Sequence, residues 1–537
     1  KDFFKNSIFS FTANETGFTN IEDKQLRSKE INGFGKLDIF YDISKNQFIE
    51  ATTKYNITNE TTRSNLVFND ASTIENLKSE NTFFDQKISY TNKIDTTKVL
   101  LFTGRFIREE LPQDYSNNQF IFQDLFPDIE DADNIQQLSS NQMQFAGLEA
   151  HFLNRMKNDD LLELKVGNKF RQDKLGSNFI LKSENETIST PDGFQNNVDY
   201  LTNDLYAIGK YLYRYKKITF TGKVGLHHFY SDLDTQETTQ DKNRFYINPS
   251  IGLDWQIDDT NTITSSYSYS TTNAKIVDVY NNYTLNGFRS FSRGTGGFNQ
   301  LNSSSVYFNY QLGSWKEKNF VNVSALYSKD NDYFSNNTII SQNFSQAQKI
   351  VIKDRDVFSS SANIDSYIDA LSSNIKLSLG YSRLNFVNFI NQSNQREIVS
   401  ESYRYGAELR SGFSGFFNFH IGTKWTTSNI TTEFDSSLTN NLSFLDISIV
   451  PNNRINFQFQ SERYFFGNLS KDDNTYYFLD FNANFTVKPN KLSFALTGKN
   501  LFNTERFINA SINDIGSSTI EYRLLPSFVL LKIDYRF

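Results

Sequence analysis

Four histidines, His151, His227, His228 and His420, are the only imidazoles in this chain of 537 residues, and it has no cysteine. Without thiols there can be no thiolate metal site, thiol nucleophile or disulfide framework. His227 and His228 are adjacent, and neighbours on an extended strand point to opposite faces. The pair therefore cannot chelate one ion, and all four histidines read as ordinary strand residues. The sequence contains no HExxH, no nucleophile elbow and no glycine-rich phosphate loop opening a helix. It predicts no enzyme, no metal site and no cofactor.

Two polar stretches carry more promising chemistry. Residues 281–298 read NNYTLNGFRSFSRGTGGF and combine Tyr283, Phe288, Arg289, Phe291 and Arg293 with flexible glycines. Rings and guanidinium groups of this kind anchor ligands or partners, and they serve equally well to pack a surface loop on its neighbours. In residues 117–134, Phe120, Phe122 and Phe126 interleave with Asp124, Asp128, Glu130, Asp131 and Asp133. Clustered carboxylates suit Ca²⁺, but the spacing matches no EF-hand loop. A solvated outer loop or a segment that docks a partner is the expectation.

The elements that hold these stretches are legible from composition and period. Lys and Arg number 54 against 61 Asp and Glu, so the net charge of −7 gives no basic footprint for nucleic acid. Phe (52) and Tyr (28) raise the aromatic share to 15% although the mean hydropathy is −0.52, which is too many rings for a disordered chain. Gly (25) and Pro (7) are scarce, which argues against linkers between several domains. No apolar run is long enough for a transmembrane helix. The opening residues 1–20 carry neither an initiator Met nor a signal-peptide pattern, which suggests a processed chain or a fragment.

A period of two runs through the chain. Tyr477, Leu479, Phe481, Ala483, Phe485 and Val487 share one face, and Asp480, Asn482, Asn484 and Thr486 the other. Short polar turns at 44–47, 95–97, 157–160, 214–217, 258–261, 315–318, 369–373, 412–415, 451–453 and 488–490 separate such runs as hairpin turns do. Longer polar stretches at 109–141, 172–202 and 273–302 lie between the hairpins. Short turns at one end and long loops at the other are the pattern of outer-membrane barrels. Ten hairpins with a leading run at 3–12 and a closing run at 526–537 give an all-β, antiparallel transmembrane barrel of about 22 strands over residues 1–537, surrounded by outer-membrane lipid. Such a chain would lie in the outer membrane of a Gram-negative bacterium. In the last strand Val529, Leu531, Ile533, Tyr535 and Phe537 alternate with Lys532, Asp534 and Arg536, so the apolar set can face lipid and the charges the interior. Phe537, Tyr535 and Ile533 would form the C-terminal signal for barrel assembly.

The end of the chain, KLSFALTGKNLFNTERF followed by a loop and YRLLPSFVLLKIDYRF, resembles the C-terminus of a TonB-dependent outer-membrane receptor. Asn500–Asn503 match that family's Asn-Leu-Phe-Asn-like box, and Phe537 matches its terminal aromatic. The stretches 248–273 and 319–332 are similar in style to receptors of the Bacteroidota. The resemblance implies a plugged barrel that imports a scarce ligand with energy delivered by periplasmic TonB. It also implies a plug domain before the first strand, and none precedes Phe3 in this sequence. The alternatives are a plugless barrel serving as a scaffold that holds surface lipoproteins or other outer-membrane subunits, and a passive pore.

Overall fold

Runs of Phe, Tyr, Ile, Val and Thr favour extended backbone because branched and aromatic side chains fit a pleated surface. The computed structural model describes residues 2–13, 16–184, 186–235, 237–314 and 317–536. Among these residues 27 strands join in one sheet, and nearly all pairings are antiparallel. The two short parallel contacts are Ser290–Arg293 against Ser345–Ile368 and the tip of Asn319–Ile340 against Ser373–Ile390. The described helices are a single turn at Ile276–Val279 and a 3-10 turn at Asp369–Leu371.

The first strand lies beside the last hairpin. Asp2–Ala13 pairs with Thr16–Ser44 on one edge and with Gly516–Arg523 on the other, from Lys5 opposite Tyr522 to Phe11 opposite Gly516. A Cβ added to Gly516 would stand 1.9 Å from the Ser10 carbonyl oxygen, so the close approach of the two backbones requires glycine here. After residues 524–527 the chain continues as Phe528–Tyr535, which pairs with Leu492–Lys499.

Register carries one apolar face from strand to strand. Ile39 stands opposite Ala51, Ile49 opposite Tyr90 and Tyr90 opposite Phe102. Farther along, Leu226 stands opposite Ile247, Ile251 opposite Tyr267, Tyr267 opposite Val306, Val306 opposite Tyr327 and Tyr327 opposite Phe358. Leu379, Tyr405 and Trp425 continue the band, and Leu496 opposite Leu531 ends it. Much of this band is bare, with Ile251 64% exposed, Leu379 63% and Leu531 58%, while Ile49, Tyr90 and Trp425 are half-buried. The other face holds charges in pairs, including Arg105 with Asp85 at 2.9 Å and Lys499 with Asp480 at 2.5 Å. The sheet is greasy where it is open and polar where it is partnered, the reverse of a water-soluble protein.

The expected turns at 44–47, 95–97, 157–160, 214–217, 258–261, 369–373, 412–415 and 488–490 join paired strands, and the one at 451–453 shifts to 453–454. The turn at 315–318 includes residues 315 and 316, outside the described residues, as does Phe537. The expected long loops are a point of correction. Lys98–Asn117 and Asn134–Arg155 pair out to Asn117 opposite Ile135, so 109–141 shrinks to a loop of 118–133. Likewise Leu161–Ser183 and Gln195–Tyr215 pair out to Asn178 opposite Gln195. The physical reason is that apolar side chains thin out along these outer ladders, and several that remain, such as Phe179, Leu181 and Tyr200, are buried, so the period-two signal fades while backbone pairing continues. Cross-strand polar contacts such as Gln136 with Asp114 at 2.7 Å and Lys174 with Asp199 at 3.1 Å hold them together. Pro112, expected in a loop, therefore lies within a strand. It pairs with Ser140 on one side, and the ladder on its other side skips from Ser79–Gln113 to Thr82–Glu110, where a missing N–H costs nothing.

Two expectations follow from these local rules. Gly516→Ala should force the two backbones apart and lower stability by about 1–3 kcal/mol, the usual cost of overpacking, read as a lower midpoint in a denaturant titration. At the 257–260 turn, Asp258 accepts the Thr260 and Asn261 backbone N–H groups at 2.8 Å each and the Asn261 side-chain amide at 2.6 Å. These bonds, led by the Thr260 N–H, hold its pKa down at about 2. A depressed folded value means the stabilisation is complete above about pH 4 and is lost as pH falls toward 2. Protection of the Thr260 and Asn261 amides from exchange should show that step in the native chain and lack it in Asp258→Asn.

Candidate functional site

The two polar stretches singled out by sequence converge at the end of the sheet away from the short turns. Residues 118–133 turn their aromatics under and their acids out. Phe122 and Phe126 are buried with Ile135, Phe179, Leu181, Phe194, Leu285, Phe291 and Phe344, whereas Asp124, Asp128, Glu130, Asp131 and Asp133 stay exposed. The Phe122 and Phe291 rings lie 5.1 Å apart edge to face, and Phe291 lies 5.4 Å from Phe179 and 5.2 Å from Phe194. Edge-to-face contacts of this kind add to the burial of the rings themselves. Among the described residues no group of three or more potential metal ligands forms, at the acidic stretch or elsewhere.

The segment 274–299 leaves Asn261–Asn273, crosses the polar face and returns to Gln300–Leu312. Its near side is stapled by Asn196, whose side-chain amide donates to the Asn282 carbonyl at 3.0 Å while its Oδ1 accepts the Asn282 N–H at 3.1 Å. Tyr200 donates its hydroxyl to the Ala274 carbonyl at 3.0 Å. Lys349 reaches Asp278 at 2.6 Å, and that same carboxylate caps the short helix by accepting the Lys275 N–H at 2.8 Å. On the far side Arg289 lies 3.4 Å from Glu22 and 5.5 Å from the centre of the Phe68 ring. Glu22 and Phe68 belong to Thr16–Ser44 and Gln47–Phe68, remote along the sheet from the strands where the segment starts. One loop can touch both regions only because the sheet curls.

Each residue expected at this loop has a partner. Tyr283 packs on Phe194 at 5.6 Å and carries the Arg293 guanidinium at 4.8 Å over its ring. Arg293 also donates to the Gln348 side-chain oxygen at 2.6 Å. Phe288 meets Phe68 edge to face at 5.2 Å, and Phe291 is 1% exposed. Burial pushes the Arg289 guanidinium below its ordinary value, partly offset by Glu22. The histidines stay apart: His227 lies 3.0 Å from Asp204 and stacks on Tyr246, His228 is exposed, His151 lies 3.0 Å from Glu163 and His420 3.0 Å from Glu408. Ile533 and Tyr535 lie exposed on Phe528–Tyr535, opposite Phe494 and Leu492.

Beneath the loop lies a cavity of about 270 Å³ that sequence reasoning missed. Its strand residues come in one parity per strand: Lys24 and Leu26, Thr62 and Ser64, Glu75 and Leu77, Gln113 and Tyr115, Gln137 and Ser139, with Leu285, Asn286 and Gly287 of the loop as a roof. One parity means one face, and the register puts it on the ion-paired face. Lys24 and Glu75 pair at 2.7 Å, and Tyr115 donates its hydroxyl to Glu75 at 2.8 Å. These residues sit tens to hundreds of positions apart, so no local motif could have announced them.

No family model and no curated protein match this sequence. Among solved structures the chain is similar to copper transporter OprC, with 9% identity, a TM-score of 0.50 and coverage of 98% of this chain and 80% of that one. The ferric citrate transporter FecA in its unliganded form gives 10% identity and a TM-score of 0.49 over 99% of this chain and 79% of that one. The alcaligin outer-membrane receptor FauA from Bordetella pertussis gives 11%, 0.43, 97% and 75%. The likeness to OprC is one of fold: a large, predominantly antiparallel sheet spanning nearly the whole of this chain.

The loop's tethers make a direct expectation. Phe291→Ala removes a ring from a buried cluster, a change that costs about 3–5 kcal/mol in well-packed cores, and the loss should fall on the loop. Proteolysis and hydrogen exchange should speed up in residues 274–299 and 118–133 and stay unchanged in Phe417–Thr431 and Asp435–Asn452.

Proposed function

We propose that this chain is the barrel of an outer-membrane receptor of the TonB-dependent type, from a Gram-negative bacterium of the Bacteroidota, which imports a scarce ligand through a plugged lumen. The observation that carries the reading is the bare apolar band, continuous in register and backed by an ion-paired polar face. In water such a band would be unfavourable by about 25 cal/mol per Å², and lipid removes that cost. Leaving aside the three short strands Glu186–Ser189, Thr284–Leu285 and Ser290–Arg293, and counting Leu492–Lys499 with Arg506–Asn513 and Gly516–Arg523 with Phe528–Tyr535 as two interrupted strands, the 27 described strands reduce to a count of 22, which supports a barrel of that size. The pairing of Asp2–Ala13 with Gly516–Arg523 supports closure. Closure matters in lipid, where unpaired backbone groups cost several kcal/mol each.

In this reading Tyr283, Phe288, Arg289, Phe291 and Arg293 hold a cap across the external mouth, the plug fills the lumen below it, and TonB acts from the periplasm. Ile533, Tyr535 and Phe537 serve barrel assembly. A tethered cap fits gated import better than a passive pore. The exposed acids of 118–133 favour a second reading, in which the barrel holds a surface lipoprotein or another subunit.

Two measurements check this. Ile251→Lys places a charge in the apolar band and should cost about 2–4 kcal/mol near the bilayer midplane, whereas Ser250→Lys on the polar face should cost far less. Both are read from unfolding in lipid vesicles. Intact mass with N-terminal sequencing of the protein from its native outer membrane should exceed 62.2 kDa by a plug domain, with energy-dependent uptake lost when TonB is deleted. A mass of 62.2 kDa would move the account to the scaffold.

A further inference from the structure

We infer that the cavity under the 274–299 loop is a binding site for a neutral, hydroxyl-rich molecule about one six-membered ring in size; as a statement about cargo, this rests on the import reading above. The walls set the charge of the occupant. Lys24 and Glu75 are the charged residues lining the cavity, and they neutralise one another at 2.7 Å. A ligand with net charge would lose its own hydration and find both charges of the hollow already engaged with each other, which is costly. The remaining polar lining is hydroxyls and amides: Thr62, Ser64, Tyr115, Ser139, Gln113, Gln137 and Asn286, which can both donate and accept.

One of these groups is waiting for a partner. Ser64 is 2% exposed, and its hydroxyl oxygen has no hydrogen-bond partner among the described residues. A buried hydroxyl left unpaired is unfavourable, and a ligand hydroxyl would satisfy it. Leu26, Leu77 and Leu285 supply apolar contact for the face of a ring. The volume of about 270 Å³ falls just below the usual range of ligand pockets, about 300 to 1,000 Å³, so it admits one ring and excludes a large chelate. The roof joins the site to the cap. The Leu285 N–H donates to the Gln137 side-chain oxygen at 3.3 Å, and Gly287, two residues on, adopts φ +95°, a conformation that glycine allows.

The test is isothermal titration of the full-length protein in detergent with D-glucose, D-galactose and myo-inositol, alongside D-gluconate and D-glucosamine as charged counterparts. The expected result is saturable binding of at least one neutral probe, at least tenfold weaker binding of the charged counterparts, and at least tenfold loss on Ser64→Leu, which fills the cavity. Should Ser64→Leu fail to reach the membrane, Gln137→Ala, expected to weaken binding at least threefold, decides instead. No saturable binding by any neutral probe, or binding untouched by the folded variant, overturns the site. Binding without energy-dependent uptake of the bound probe leaves the site standing and removes the import reading. TonB-dependent uptake of another cargo, with no neutral probe bound, does the opposite.

Discussion

Register is the constraint on which the rest of this molecule depends. Side chains alternate with a period of two, so a slip of one residue in any ladder would move that strand's apolar set onto the polar face. In this chain the phase is passed along the sheet, from Ile39 and Ala51 through Ile251 and Tyr267 to Leu496 and Leu531. The apolar band and the ion-paired face are two outcomes of that single phase. Pairs such as Arg105–Asp85 and Lys499–Asp480 reinforce it, because a slip would also carry a charge into the band.

Away from the short turns the same backbone serves a different purpose. The strands there outlast the apolar band, and their length lifts a second, aromatic core clear of it. Phe122, Phe179, Phe194 and Phe291 come from four separate segments and lock 118–133 and 274–299 into one body. The cap is thus held by the aromatic core and the Asn196, Tyr200 and Lys349 tethers at its near side, and by the long Arg289–Glu22 ion pair with the contacts of Arg289 and Phe288 on the Phe68 ring at its far side. Such an asymmetry gives the far side the weaker hold. The polar cavity beneath the cap is the consequence of bridging a curled sheet with a loop that cannot fill it.

Much of this was legible in the sequence, and the limits have physical causes. Strand type and the positions of the short turns were readable because one face of each hairpin is apolar and the other polar, as in Tyr477 to Val487. The reach of the strands was hidden, because Gln113, Ser139, Lys174 and Asp199 look like loop composition although they are ladder partners. The rings of 281–298 were recognisable as anchors, but that Phe291 would sit against Phe122 depends on a fold that brings together residues 169 positions apart. Lys24, Glu75 and Ser64 carried no signal, since an isolated Lys, Glu or Ser on a strand is commonplace until register puts all three around one hollow.

The most direct measurement uses the absence of native cysteine. Single cysteines placed in turn at 245–255 of Thr239–Gln256, spin-labelled in native outer-membrane vesicles, report contact with lipid or water through collisions with oxygen or a water-soluble nickel chelate. The account predicts alternation: oxygen-dominated relaxation at 245, 247, 249, 251, 253 and 255, and nickel-dominated relaxation at 246, 248, 250, 252 and 254. Equal access of both quenchers along the strand would contradict a lipid-facing band and, with it, the membrane barrel.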